Sequence, residues 1–286
     1  MHQCLRVDEI IRLVACELVE SKGYGTAAAL ARCCKNLEDP VFDALREAQN
    51  RLTPLLKCLP QDTWEEAPRF VSRLIAFAFS VLVNQQIRKT FKRTPTRAEW
   101  TDFRKYALRM RNLELVVSED LGISDILLVQ QSHTTNDSWL PRLQAFACDC
   151  ATEELIPLIP FSLSPRTTDI TIGFDEDAPA AVIVPMVMRL PTLCPDMNEI
   201  GLDPLPRDPA ITEAASEILL ACKRDHLVAF LVDSPLTEEA REVVYRLPKL
   251  TSLCAVIEGR TLLPPVALPN LRDILLKFDG DLDWLQ

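Results

Sequence analysis

The second half of the chain alternates between short apolar runs and amphipathic helical segments. The runs span residues 143–148, 169–174, 197–202, 227–233, 250–256 and 271–278, so their first residues lie 21 to 30 positions apart. Helical spacing predicts helices over residues 152–163, 178–190, 210–224 and 238–246. A single strand–helix unit is unstable alone, and its neighbours complete its core. We therefore expect a protein of the α/β class with a parallel sheet.

Two architectures share this alternation: a solenoid, with a curved parallel sheet and outer helices, and a doubly wound α/β domain. Nucleotide-binding domains of the doubly wound kind carry a Gly-rich loop after a strand. No run here is followed by such a loop, and the chain has only 7 glycines. A strand and a helix every 20 to 30 residues or so is the period of leucine-rich repeats. We therefore favour an irregular leucine-rich-repeat solenoid over residues 126–286, and keep the doubly wound domain as the alternative.

A short tag, Leu-Pro-x-Leu, recurs at Leu140, Leu190, Leu247 and Leu268, and in three of these cases it leads directly into an apolar run. Proline cannot continue the hydrogen-bond ladder inside a helix, so we expect each tag to end a helix and set the entry to a strand. The LxxLxL signature of such repeats is well kept only at residues 271–276, and the customary Asn is missing. The repeats are therefore predicted to be irregular.

Residues 5–52 follow another pattern, that of three short helices. The first helix has apolar residues at three- and four-residue steps, at Val7, Ile10, Ile11, Val14 and Leu18. It should end near Gly23, and Thr26 is expected to cap a second helix over residues 27–34. Asp39-Pro40 is expected to open a third, because Asp caps helices and Pro suits the first helical position. Helices this short bury little between them, so their apolar faces should need the rest of the chain or a partner.

This stretch resembles the F-box, a small helical module. The matching residues are Leu5, Glu9, Ile10, Leu13, Leu18, the segment 27–34, Asp39, Pro40 and Leu45. Two positions depart from the family pattern, since Arg6 and Arg46 stand where the family usually has Pro and Trp.

A second block strengthens the resemblance. Residues 93–113, RTPTRAEWTDFRKYALRMRNL, look like the segment that joins the F-box to leucine-rich repeats in a large group of fungal F-box proteins. Residues 88–111 contain nine Lys and Arg against two acidic residues. Helical spacing favours a helix with a basic outer face in solvent and a buried apolar stripe on its inner side. The alternative is a basic patch that binds an acidic partner. The stripe consists of Trp100, Phe103, Tyr106, Ala107 and Met110.

The resemblance implies a substrate receptor for an SCF-type cullin-RING ubiquitin ligase. Its parts would be a three-helix F-box-like module at residues 1–52, a linker and helical or first-repeat segment at 53–125, and the solenoid at 126–286. The module would bind the adaptor subunit of the ligase, and the concave strand face would hold a target protein. Such a receptor needs no catalytic residue, cofactor or metal, because it raises the concentration of target lysines near the ligase. The residues implied in adaptor contact and in the fold of the module are Leu5, Val7, Ile10, Ile11, Leu30, Leu37, Val41 and Leu45.

Composition argues against several other classes. A net charge of −10 disfavours general nucleic-acid binding, which rewards an excess of Lys and Arg. Charged residues interrupt the first helix, unlike a signal peptide, and no apolar run approaches the roughly 20 residues of a membrane-spanning helix. The ten cysteines lack zinc-finger spacing, and we interpret them as reduced side chains, mostly buried. We expect a cytoplasmic or nuclear protein that binds neither nucleic acid nor membranes.

Catalytic signatures are missing from the sequence. His2, His133 and His226 have no Cys, Ser or carboxylate at a recognisable motif spacing, and Walker, GxSxG, HExxH and kinase motifs do not occur. Two other hypotheses stay open: a repeat-only scaffold whose N-terminal helices cap the repeats, and a small α/β enzyme. A parallel sheet with its strands in chain order would favour the repeats, whereas a switch point with a pocket would favour the enzyme.

Overall fold

The computed structural model describes residues 8–21, 23–49, 55, 58–68, 87–115, 138–153, 155–223, 225–258 and 270–279. Its helices are α1 (Asp8–Glu20), α2 (Tyr24–Cys33), α3 (Lys35–Glu47), α4 (Arg97–Ala107), α5 (Ile159–Ser162), α6 (Ala180–Val187), α7 (Leu190–Leu193), α8 (Pro209–Ala221) and α9 (Glu238–Val244). Its strands are β1 (Ala48–Gln49), β2 (Trp64–Pro68), β3 (Ile87–Phe91), β4 (Asn112–Leu115), β5 (Ala145–Ala151), β6 (Asp169–Phe174), β7 (Glu199–Leu202), β8 (Ala229–Pro235), β9 (Ser252–Glu258) and β10 (Asp273–Asp279). Short 3-10 turns lie at Gln61–Thr63 and Ile156–Leu158.

The strands form one large parallel sheet and a separate antiparallel pair, β2 with β3. The large sheet has the order β1-β4-β5-β6-β7-β8-β9-β10, and each neighbouring pair is parallel. From β4 onward the strands lie in chain order, and the described part of the sheet has no switch point of the doubly wound kind. Crossovers between parallel strands are nearly always right-handed, so the connecting helices lie on one face. The α/β class and the parallel sheet are confirmed.

All six predicted strands are present, but five of them begin two residues later than predicted. Only β6 starts where its apolar run starts, at Asp169. In the others, the first two residues of the run belong to the preceding turn. The helices predicted at 210–224 and 238–246 correspond to α8 and α9, whereas those at 152–163 and 178–190 are each divided into two shorter helical pieces. The sequence analysis missed β1, β2, β3 and β4, of which β1 and β4 belong to the large sheet.

A repeated hydrogen-bond pattern gives successive strands the same starting point. The carbonyl oxygen of Arg111 accepts two N–H bonds from the next unit, from Gln144 at 2.6 Å and from Ala145 at 3.0 Å. The carbonyl oxygens that accept two N–H bonds in the same way are those of Gln144, Thr168, Asn198, Val228 and Thr251. Equivalent residues of neighbouring strands are therefore in register, and the side chains of each face form continuous rows across the sheet.

One row of side chains is buried beneath the helices. Its members, none more than 4% exposed, are Leu113, Phe146, Ile170, Ile200, Phe230 and Leu253. α8 packs against α6 and α9 and against β8, which closes the helical layer over this row. The row belongs to one large hydrophobic cluster, whereas the three N-terminal helices form a second, smaller cluster of their own.

Most leucines of the described Leu-Pro-x-Leu tags are buried. The leucines at most 3% exposed are Leu140, Leu143, Leu190, Leu247 and Leu250. The expectation that proline ends a helix is wrong at the second tag, where Pro191 lies in the first turn of α7. The missing N–H of proline removes no bond there, because the first N–H groups of a helix have no partner within it. Leu268 lies outside the described residues.

The N-terminal helices begin earlier than predicted. α2 starts at Tyr24, so Thr26 lies inside the helix and does not cap it. α3 starts at Lys35 and carries Pro40 in its interior, contrary to the predicted start at Asp39-Pro40. A proline inside a helix removes one backbone hydrogen bond. The helical turn that precedes Pro40 contributes backbone hydrogen bonds of its own. Local cap preferences are therefore overridden in both helices.

Within the basic stretch, residues 97–107 form α4 and residues 88–91 belong to β3, and the inner side of α4 is buried as predicted. Phe103 is 5% exposed, and Trp100 packs edge-on against it with ring centroids 5.1 Å apart. Thr96 and Glu99 form a capping box, in which the Thr96 N–H donates to the Glu99 carboxylate at 2.6 Å. Arg93 binds the same carboxylate at 2.7 Å. The start of this helix therefore depends on a charged glutamate.

We expect Glu99→Gln to destabilise the protein in a pH-dependent way. Hydrogen bonds from Arg93 and from the Thr96 N–H lower the pKa of Glu99 from 4.5 to about 2. A carboxylate with a lowered pKa stabilises the fold above its unfolded pKa, and this contribution is lost as the pH falls through the folded value. Above pH 4.5 the variant should have a lower melting temperature than wild type. The difference between the two melting temperatures should shrink as the pH falls towards 2. Thermal melts across this range test the prediction, which a constant gap would contradict.

Candidate binding surfaces

The three N-terminal helices close a small core of their own. Its buried residues are Ile11, Ala15, Ala27, Ala31, Leu37, Val41 and Ala44. Three of the residues assigned to the adaptor from sequence are among them, and two more, Leu30 and Leu45, are half-buried against this core. All five side chains pack within the module. Outside the described part of the structure lie Leu5, Arg6, Val7 and the side chain of Arg46.

One side of α1 stays exposed and apolar. Ile10, Leu13 and Val14 are 38%, 70% and 45% exposed, and their three- and four-residue spacing places them on one side of the helix. We call these three residues the α1 face. Tyr24, at the start of α2, is 51% exposed. Of the assigned adaptor residues that the structure describes, only Ile10 lies on this face. An apolar stripe does not reveal which part of it the neighbouring helices cover.

Ion pairs connect the helical module to the sheet. Arg109, just after α4, binds Asp39 at 2.8 Å and Asp43 at 2.9 Å on α3. The N–H of Arg111 donates to the carbonyl of Glu47 at 3.1 Å, and β1, which follows Glu47 directly, pairs with β4. These cations of the basic stretch therefore have acidic partners within the chain, and α3 leads directly into the first strand of the sheet.

The other face of the sheet points away from the helices. Its first row, from β4 to β9, is Asn112, Ala145, Asp169, Glu199, Ala229 and Ser252, and its second row is Glu114, Ala147, Thr171, Gly201, Leu231 and Cys254. We call these two rows the open face. Leu231 is 42% exposed, although its chain neighbours Phe230 and Val232 are fully buried. β10 extends the rows with Asp273 and Leu275, both exposed.

Two carboxylates stand side by side on the open face. Asp169 and Glu199 are register partners on β6 and β7, and neighbouring strands lie about 4.8 Å apart. Ala145 and Ala229 flank them in the same row. Burial raises the pKa of Asp169, and a hydrogen bond with Thr168 offsets part of that rise. Among the described residues neither carboxylate forms an ion pair, so this part of the row carries negative charge without a counter-ion.

The described residues hold few groups suited to acid–base or metal chemistry. Burial raises the pKa of the Cys148, Cys194 and Cys222 thiols to about 12, so they stay protonated and unreactive at neutral pH. The side chain of His226 is 45% exposed, while His2 and His133 lie outside the described residues. No three His, Cys, Asp or Glu side chains within the described ranges are placed to hold a metal ion. A search of the same ranges finds no helix able to cross a membrane.

Comparison of the chain with protein-family models, with curated proteins and with solved structures found no match. Its function is therefore inferred from its own residues. Two surfaces stand out from the rest of the described structure: the apolar α1 face and the acidic open face of the sheet.

Proposed function

We propose that this chain is a substrate receptor that recruits a target protein to an SCF-type cullin-RING ubiquitin ligase. Residues 1–52 form an F-box module that binds the ligase adaptor, residues 53–125 link it to the repeats, and residues 126–286 form an irregular leucine-rich-repeat solenoid that binds the target. The protein performs no bond chemistry and raises the concentration of target lysines near the ligase. The observation that carries the proposal is the exposed α1 face on a module whose core is already closed.

The α1 face has the form of a helix that docks into a groove. Such helices present anchors three and four residues apart, and Ile10, Leu13 and Val14 have that spacing. Covering these side chains with a partner would remove apolar surface from water. This burial contributes about 25 cal/mol of favourable free energy per Å². Ile11, at 2% exposed, supports this face from inside the module. The resemblance of residues 5–52 to the F-box supports the ligase adaptor as the proposed partner.

The regular stacking of the strands supports the repeat part of the proposal. β4 to β10 lie in chain order, and the carbonyl pattern that begins at Arg111 recurs in each following unit. Repeat proteins stack in this way because each unit contacts only its neighbours, and they use the resulting extended surface for binding. The same features count against the small α/β enzyme as an alternative.

Ile10→Lys combined with Leu13→Lys tests the role of the α1 face. We expect the double variant to bind the purified adaptor about tenfold more weakly or worse, because buried apolar anchors dominate interfaces of this kind. Both side chains are exposed in the free chain, so the module should stay folded. Biolayer interferometry with the full chain measures the affinity, and circular dichroism checks the fold.

The matched control is Leu108→Lys combined with Met188→Lys, which adds the same charge at apolar residues 38% and 47% exposed elsewhere. It should retain adaptor affinity within about twofold, since surface changes away from an interface have small effects. An equal loss in both variants, or no adaptor binding by wild type, would rule out this role. The repeat-only scaffold, with α1 to α3 as its cap, would then be the better hypothesis.

A further inference from the structure

The open face combines negative charge with an absence of positive charge. Among its twelve positions from β4 to β9, three are acidic, namely Glu114, Asp169 and Glu199, and none is Lys or Arg. Beyond these two rows the face carries both signs of charge, since Asp233 lies two positions beyond Leu231 on β8 and Lys277 lies two positions beyond Leu275 on β10. The two rows themselves therefore favour a positively charged partner.

Small and apolar residues lie between these acids. Gly201, Ala229 and Cys254 are buried. Leu231 rises from this floor at 42% exposed, and Leu275 is 58% exposed on β10. This mixture suits a partner that brings both cations and apolar groups.

The architecture also argues for a large occupant. In the described part of this chain the helices connect the strands on one face, which leaves the other face as an extended surface of the kind that repeat proteins use for binding. The seven strands β4 to β10 span about 29 Å at about 4.8 Å per strand, which matches a segment of protein rather than a single ion. A nucleic-acid backbone would be repelled by the carboxylates of this face.

We propose that the open face binds a Lys- and Arg-rich segment of a partner protein. Cationic groups of the segment pair with Asp169 and Glu199, which are register partners on neighbouring strands. The aliphatic stems of the same side chains lie over Ala229 and Leu231, as Lys and Arg stems commonly cover apolar surface. Identifying this segment as part of the ligase target rests on the proposed function, whereas its binding to the sheet does not.

Asp169→Asn combined with Glu199→Gln tests the proposal in the full chain. The probe is a fluorescein-labelled peptide with the repeating sequence Lys-Ala-Arg-Leu, and its acidic counterpart repeats Glu-Ala-Asp-Leu. By fluorescence anisotropy at low ionic strength, we expect wild type to bind the basic peptide and the double variant to bind it about tenfold more weakly. The matched control, Glu213→Gln with Glu217→Gln, removes the same charge from exposed positions on α8. It should bind within about twofold of wild type.

Equal weakening in both variants would mean that net charge alone attracts the peptide, and would overturn the proposal. Binding of the acidic peptide as tightly as the basic one would overturn it as well. Removing the like-charge pair should leave the melting temperature unchanged or higher, so a loss of affinity cannot be ascribed to unfolding. Adaptor affinity, measured on the same variants, should not change. The outcome for the open face is thus separate from the outcome for the α1 face.

Discussion

Phe230→Ala is expected to lower the free energy of unfolding by about 3–5 kcal/mol, the usual range for a buried phenylalanine. Phe230 is fully buried on β8, in the core row between Ile200 of β7 and Leu253 of β9. Because α8 packs against β8, loss of the ring would leave a cavity between the sheet and this helix. The neighbouring side chains of the sheet and the helix cannot readily fill it. Chemical denaturation at equilibrium, followed by circular dichroism, measures the change.

Leu231→Ala is the matched control for this variant. Leu231 is the next residue on the same strand, but it lies on the open face and is 42% exposed. Because it buries less surface and leaves no cavity, its replacement should cost less than about 1 kcal/mol. A similar loss for both variants would mean that the two faces of the sheet are covered alike, contrary to the one-sided arrangement. It would also remove the basis for binding at the open face.

Ile11→Asp is expected to unfold the three-helix module. Ile11 is 2% exposed within a core of seven buried residues, four of which are alanines. A carboxylate placed there would lack a partner, and burying an unpaired charge costs several kcal/mol. A core of that size has little stability to lose, whereas the sheet has its own, larger hydrophobic cluster. Hydrogen exchange should therefore increase over residues 8–47 and stay slow over residues 145–258.

Leu13→Asp provides the comparison, since Leu13 is 70% exposed on the same helix. We expect its hydrogen exchange to match wild type, because surface substitutions usually change stability by less than about 0.5 kcal/mol. It should nevertheless weaken adaptor binding, which separates the docking surface from the core. Loss of protection in the sheet with Ile11→Asp would contradict the prediction and show that module and sheet unfold together, as the Arg109 ion pairs and the β1–β4 pairing could allow.

Sequence patterns located the strands well because alternation, apolar runs and turn residues act over a few neighbouring positions. They were less accurate where short-range preferences compete. Thr26 and Pro40 are favourable at helix starts, yet both lie inside helices whose bonding begins earlier. The apolar stripe of α1 predicted one buried side but could not separate Ile11, which packs inside, from Ile10 and Val14, which stay exposed. That division depends on where α2 and α3 sit.

The sequence by itself determined the α/β class, the approximate positions of six strands and four helical segments, and the apolar character of α1. Only the tertiary structure decided which strands are neighbours, which face of the sheet the helices leave open, and that Asp169 lies beside Glu199. The physical reason is the range of the interactions involved. Periodicity and capping act within one element, whereas register and coverage arise from hydrogen bonds and packing between units far apart in the chain.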